Sequence, residues 1–478
     1  MSLTIKKFNN KYIKILCKKL KSLFFAIDSK RKHNSGIYYS RFAILIVFTL
    51  MSLCGYATNY YVSEKSNNNK PNGLSTAKAF KNIQDAAHLT KPGDTVFVMN
   101  GNYTNACPAC NVFDVTKSGS KSKYIVFINY PNQHPKLNFN GWAGIAINSG
   151  VSYVKVVGFE VTGNNAKVTL AKALVQPQSC ANKKGTFDPQ YNGNGITING
   201  LGKKHAHHIV IANNIVHDCG GGGIGASHAD YITISGNTVY NTSWYTVFGT
   251  SGIALYQFWN YDNSSGYHNV ISGNKCYNNK SLVPWIKQCI VTDGNGIIID
   301  DFRSKQNGSK LGDYNGRTLI ENNICWYNGG TGIHTFQSDH IDIINNTAYC
   351  NSQTKELNAG QILSGLGNDN RIINNILVSD SENVINSNYT NTNLTYENNL
   401  HYNITYPDKA IIAVSSATCL NNVNPSFVYP ANNLKADFRI QKGSPAIHRG
   451  NTVVYSTSDY EGNKRAQGHT ADIGAYEN

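Results

Sequence analysis

The stretch DGNGIIIDDFR, residues 293–303, sets two adjacent carboxylates, Asp300 and Asp301, at the end of an apolar run. Asp293 lies upstream and Arg303 just downstream. Clustered carboxylate oxygens can hold a hard cation, with Asn295 near by as a further oxygen. Plainer readings stand beside this one. DG and NG are strong turn dipeptides, so Asp293 can simply mark a turn. Asp300 and Asp301 can pair with Arg303 as a surface ion pair. Lys287, in the loop VPWIKQC, can act as a base or be merely solvated. His228 and His334 can do chemistry or stack on their neighbours.

Something must bring these residues together, and an internal repeat does so. A short β run, a two-residue corner ending in Asn and a second β run recur along the chain, as in ITISGNTVYN (232–241) and DIINNTAYCN (342–351). The corner residues are Asn214, Asn237, Asn274, Asn323, Asn346, Asn375 and Asn399, spaced by 23, 37, 49, 23, 29 and 24 residues. The unit is therefore a coil of about 23 residues with long insertions in two coils. Such coils bury their apolar sides only by stacking, which gives an all-β solenoid, a parallel β-helix. In-register Asn side chains can hydrogen-bond along the stack, and Asn tolerates a left-handed corner. Two residues after each corner comes an apolar file: Val216, Val239, Cys276, Cys325, Ala348 and Leu377. The next position is mostly aromatic and alternates outward: His217, Tyr240, Tyr277, Trp326, Tyr349, Val378 and Tyr402. Cys276 and Cys325 should face each other, as two thiols or as a bond.

A second strand begins Gly-Ile in coil after coil: GITING (195), GIGASH (223), GIALYQ (252), GIIIDD (296) and GIHTFQ (332). Alternation points the Ile and the residue two further on inward. The fifth position points out and the sixth lies at the rim. Rungs stack about 4.8 Å apart. His228, Tyr256, Gln257, Asp300, Asp301, His334 and Gln337 should then share one surface. Insertions after Trp244, Phe258, Lys280 and Arg303 surround it, where function usually resides.

Charge excludes a nucleic-acid footprint. The net charge is +15, but residues 1–57 hold 11 Lys/Arg and one Asp. The remainder holds 32 Lys/Arg against 27 Asp/Glu, a mild basicity compatible with a polyanionic substrate. The basic leader precedes the short apolar run Phe42–Ala57, the pattern of a secretory signal, cleaved or kept as an anchor. Export to the periplasm, cell surface or medium is expected, with disulfides permitted. Nine cysteines follow Ala57, so at least one stays unpaired. In CPAC, Cys107 and Cys110 form a local disulfide or remain two thiols.

From Tyr60 onward the chain resembles secreted proteins of the pectate-lyase-like superfamily of right-handed parallel β-helices. KPGDTV (91–96) followed by GNY (101–103) resembles their amino-terminal cap, in which a helix over about Ala79–Leu89 plugs the solenoid. SPAIHRGN (444–451) and DYEGNKRAQGHTADIGAYE (459–477) resemble a common carboxyl-terminal tail of exported members. The implied organisation is a leader at 1–57, a cap with the first coils at 58–135, the β-helix at 136–425 and a tail at 426–478.

The resemblance implies a monomer acting on an acidic, uronic-acid polysaccharide by calcium-assisted β-elimination. On that reading Asp293, Asp300 and Asp301 hold calcium, and Arg303, Lys287 and His228 are the candidate bases. Tyr256, Gln257, His334, Gln337 and Trp244 would bind the glycan. Related hydrolases use paired aspartates, and TDG with DD resembles part of their pattern, although Asp293 and Asp300 lie closer in sequence than one coil. A uronan epimerase shares the first proton abstraction. A non-catalytic glycan-binding or adhesive protein, using the outer aromatic file, is the remaining reading.

Overall fold

Among the described residues the corner asparagines do form one continuous ladder. The Nδ2 of Asn214 donates to the Oδ1 of Asn237 at 3.0 Å, and the pattern repeats through Asn274, Asn323, Asn346, Asn375 and Asn399 at 2.9–3.0 Å. Each Oδ1 also accepts the backbone N–H of the preceding corner Asn, as at Asn323 onto Asn346 at 2.9 Å. Each Nδ2 also reaches a backbone carbonyl, such as Asn323 onto Ile271 at 2.9 Å. These side chains are buried and fully partnered, which is the condition for a polar file inside a core.

The computed structural model describes residues 57–478 apart from 203, 383, 409, 410 and 468. These residues form one compact unit. The signal reading of Phe42–Ala57 falls, except for Ala57, outside the described residues. No described helix is long and apolar enough to cross a membrane.

The coils build three parallel sheets of 11, 9 and 11 strands among the described residues. One coil shows the order: Ile341–Ile344 in the first sheet, the Asn346 corner, Thr347–Tyr349 in the second, a connecting loop, and Ile362–Gly365 in the third. The Gly-Ile strands are the third sheet. Their isoleucines Ile196, Ile224, Ile253, Ile297, Ile333 and Ile362 are in register and buried. Tyr256, Asp300 and Phe336 stand on adjacent outward positions, as alternation requires.

Three details differ from the sequence reading. The left-handed residue of each corner is the one before the ladder Asn. Positions 213, 236, 273, 322, 345, 374 and 398 all have φ between 51° and 65° and are Asn or Gly. The amino-terminal helix is Ile83–Leu89, shorter than expected, with Ile83, Ala86 and Ala87 buried in the core. Asn82 precedes it in extended backbone. Finally, the outer aromatic file is not a free platform. His217 stacks on Tyr240 and Tyr277 on Trp326, but Trp326, Tyr349 and Val378 are buried beneath Phe427, Phe438, Ile440, Ala446, Ile473 and Ala475 of the tail.

The left-handed corner residues explain how the tail is held. Asn322, Asn345, Asn374 and Asn398 donate Nδ2 to the carbonyls of Ser458, Asp472, Val454 and Arg449 at 2.8–3.1 Å. The corners before Asn237 and Asn274 carry glycine, Gly236 and Gly273, at that position. Buried Arg465 binds Glu477, the Gly474 carbonyl and the Oδ1 of Asn322.

Cys107–Cys110 is a disulfide. Cys180–Cys289 is a second, linking loops 109 residues apart. Cys276 and Cys325 are neighbours in register and are free, buried thiols.

The ladder has a direct energetic test. Asn323→Ala takes the acceptor from the backbone N–H and Nδ2 of Asn274, and the donor from the Ile271 carbonyl and the Asn346 Oδ1. A loss of about 2–4 kcal/mol is expected in urea unfolding, from unsatisfied buried groups and a small cavity. A loss below about 0.5 kcal/mol would show that the ladder is incidental to stability.

Candidate active site

The third sheet turns its outer face to a cleft of about 700 Å³. The floor comes from in-register outward residues: Ala254, Ile298, His334 and Leu363 in one row, Tyr256, Asp300, Phe336 and Tyr389 in the next. One wall is made by successive second-to-third-sheet loops carrying Phe248, Trp285, Lys287, Asp293 and Glu356. The other is the loop after Asp300, through Gln306 and Asn307.

A second amide file anchors the first wall. Asn279, Asn328, Asn351 and Gln361 hydrogen-bond in sequence at 2.8–3.0 Å, where the loops leave the second sheet. The Cys180–Cys289 disulfide ties the loop of an earlier coil to the segment bearing Trp285 and Lys287. Trp244 lies behind this wall. Its Nε1 donates to the Asn278 carbonyl at 3.0 Å, and its ring packs with Tyr245. It does not line the cleft, so its expected contact with glycan is replaced by a supporting role.

Asp293 and Asp300 both face the cleft. Asp293 and Gly294 do make a turn, with φ of 61° and 68°, and the turn delivers the Asp293 carboxyl. Gly249 permits that approach: a Cβ there would lie 2.5 Å from the Asp293 Oδ2. Burial pushes the Asp293 carboxyl above its usual range. Burial, then the nearby charge of Asp293, lift Asp300 to about 7, against a hydrogen bond from Gln306 Nε2 at 2.8 Å. Asp300 can thus hold or release a proton near neutrality.

Asp301 parts from them. It is fully buried, and its left-handed backbone turns the carboxylate into the corner. There Oδ1 accepts the Lys305 N–H at 2.7 Å, and Oδ2 accepts the Gln306 N–H at 2.8 Å and Gln257 Nε2 at 2.7 Å. With both oxygens taken by the loop, Asp301 is an anchor and leaves the metal-ligand set. Gln257 is consumed in the same corner, and Gln337 accepts from Gln306 Nε2 at 3.3 Å outside the cleft. Arg303 forms a two-pronged ion pair with Asp339, Nε–Oδ2 2.9 Å and Nη2–Oδ1 2.7 Å, and does not line the cleft. It pairs with an aspartate of the next coil, where Asp300 or Asp301 had been expected. His228 lines a neighbouring groove and binds Gln257 Oε1 at 3.3 Å.

Three expected residues remain with the carboxylates: Lys287, Tyr256 and His334. Lys287 is exposed, lies 5.5 Å from the Trp285 ring centroid, and donates to Asn307 Oδ1. It is the one lysine or arginine lining the cleft among the described residues. Burial, then nearby carboxylates, raise the Tyr256 hydroxyl to about 12. Burial lowers His334 to about 4, so its imidazole is neutral, and its Nε2 has no partner.

Trp285, Gln306, Asn307, Glu356 and Tyr389 were not singled out from the sequence. The Asn307-Gly308 dipeptide marks a turn inside a flagged insertion. Tyr389 sits on a rung that starts at Asn386 and lacks the Gly-Ile signature.

In-register sheets with a charged, aromatic-floored cleft on one outer face define a parallel β-helix protein whose working surface lies among its loops. Within that class the chain belongs to the Pel9A-like right-handed β-helix family, whose model matches residues 60–375. Among solved structures, pectate lyase Pel9A is 16% identical with a TM-score of 0.49, over 88% of this chain and 97% of its own. XylC in complex with xylose is 10% identical with a TM-score of 0.49, over 88% and 98%. An alginate lyase from Paenibacillus sp. str. FPU-7 is 16% identical with a TM-score of 0.40, over 72% and 96%. No curated protein matches the chain.

The raised Asp300 has a signed consequence. The folded state keeps its proton up to about 7, while the unfolded chain releases it near 3.8. Its contribution to stability therefore falls as pH rises between these values and is constant above them. Asp300→Asn should be more stable than the parent by about 2 kcal/mol at pH 8, after discounting for solvent screening, and equal to it near pH 3. Urea unfolding with a chelator present measures this; a less stable variant at pH 8 would contradict the assignment.

Proposed function

We propose that this protein cleaves an acidic, uronic-acid polysaccharide by β-elimination in the third-sheet cleft. One observation carries the reading: Lys287 and three carboxylates, Asp293, Asp300 and Glu356, line the same aromatic-floored cleft. Elimination removes the proton next to the sugar carboxylate and expels the glycosidic oxygen, leaving a carbon–carbon double bond. The carbon acid is weak, so positive charge must meet the developing enolate. Lys287, with Arg303 and His228 engaged elsewhere, is the basic group placed to take the proton. Tyr256, Phe336 and Tyr389 offer apolar faces to the sugar rings, and His334 offers a neutral imidazole to their hydroxyls.

Calcium fits two residues rather than three. Asp293 and Asp300 supply hard oxygens whose mutual repulsion a divalent cation would relieve. No group of three His, Cys, Asp or Glu suited to a metal occurs among the described residues. The cation would complete its shell with water and the substrate carboxylate, and when bound it would neutralise that carboxylate. The basic leader and two disulfides support action outside the cytosol.

A hydrolytic reading draws on the same pair, with one carboxyl as general acid and the other as base. The product decides between them. Incubation with pectate, alginate and glycosaminoglycans, with calcium or chelator, should give ultraviolet absorbance from an unsaturated sugar that chelation abolishes. New reducing ends without absorbance would establish the hydrolase instead. Lys287→Ala should lower kcat by about 10²–10⁴-fold with the fold intact. An unchanged kcat would remove Lys287 from the chemistry.

A further inference from the structure

We propose that Asn307 partitions the outer face of the third sheet and makes cleavage proceed from a chain end. The inference rests on the cleavage reading above and adds its mode. The face carries two spaces, the cleft of about 700 Å³ and a groove of about 570 Å³ over the preceding coils. His205, His228 and Lys310 line the groove. The two spaces share two residues, Tyr256 and Asn307.

Asn307 stands between them as a bridge. Its Nδ2 donates to the Tyr256 hydroxyl on the floor at 2.5 Å, and its Oδ1 accepts from Lys287 Nζ on the facing wall. One amide thus joins the floor and both walls. Its supports are fixed. The Asp301 carboxylate holds the Lys305 and Gln306 N–H groups at the base of the loop, and Gln257 Nε2 donates to the Gln306 carbonyl at 2.9 Å. On the facing side, the Cys180–Cys289 disulfide fixes the segment bearing Lys287.

Position along the stack gives the consequence. Tyr256 and Asp300 are in-register partners on adjacent rungs, about 4.8 Å apart. A sugar bound at Asp300 therefore has about one rung of room before the bridge. In the other direction the floor continues past Phe336 to Tyr389. A polymer threading through both spaces must break the bridge, whereas a chain end fits against it. The cleft is thus built to receive an end and to release short products.

The test compares mode rather than rate. Bonds cut in a long substrate polymer are counted by unsaturated-sugar absorbance and by reducing ends, while viscosity is followed. The parent protein should cut bonds with little loss of viscosity and yield short products from the outset. Asn307→Gly suits the positive φ of 54° and removes both hydrogen bonds. It should lose several-fold more viscosity per bond cut. Tyr256→Phe, which keeps the ring and frees the bridge from the floor, should shift in the same direction. Equal viscosity loss per bond in parent and Asn307→Gly overturns the partition, as does a steep loss in the parent. No cut bonds by either count, on any acidic polymer, refutes the cleavage reading itself and the end-acting mode with it.

Discussion

The structure depends on a hydrogen bond between two asparagine side chains, repeated from coil to coil. Each amide makes its full set of partners in a core where an unpaired polar group would cost more than the bond contributes. That asymmetry makes the ladder a selector of register. A coil shifted by one residue would strand an amide and turn its apolar file outward. Buried aliphatic area supplies most of the stability, and the amides determine which stacking is reached.

A fixed register lets chemistry be assembled from remote parts of the chain. Long excursions lie in the coils between Asn237 and Asn323, and most of the cleft is made from them. The loops leave and re-enter at rungs set by the two amide files, so their ends are placed before their contents matter. Asp293 and Asp300 are then held together although the charge of Asp293 disfavours the ionisation of Asp300. The scaffold is rigid enough to keep an unfavourable electrostatic pair, as a site poised to bind a proton or a cation requires.

Periodicity carried the solenoid, the ladder, the inward files and the outward direction of Asp300, because each follows from alternation and stacking alone. The site was half legible. Asp293, Asp300, Lys287, Tyr256 and His334 line one cleft. Asp301, Gln257 and Arg303 do not, because whether a corner residue faces solvent depends on which loop folds over it. Asp301 has the chemistry of a ligand but meets three N–H groups first. Arg303 had an aspartate nearer in sequence, yet pairs with Asp339 one coil away. The buried aromatic file failed for a related reason: outward alternation does not reveal that a distant tail lies on top.

That tail is fastened by four of the five asparagines that take the left-handed corner positions. Ribosomal synthesis proceeds from the amino terminus, so coils from Asn322 to Asn399 emerge before the segment 427–478 that covers them. Until it arrives, Trp326, Tyr349 and Val378 present a greasy flank beside corner amides that still lack their carbonyl partners. The nascent chain is therefore most adhesive when its coils are already complete. Arrival of the tail covers that flank and supplies the missing carbonyls.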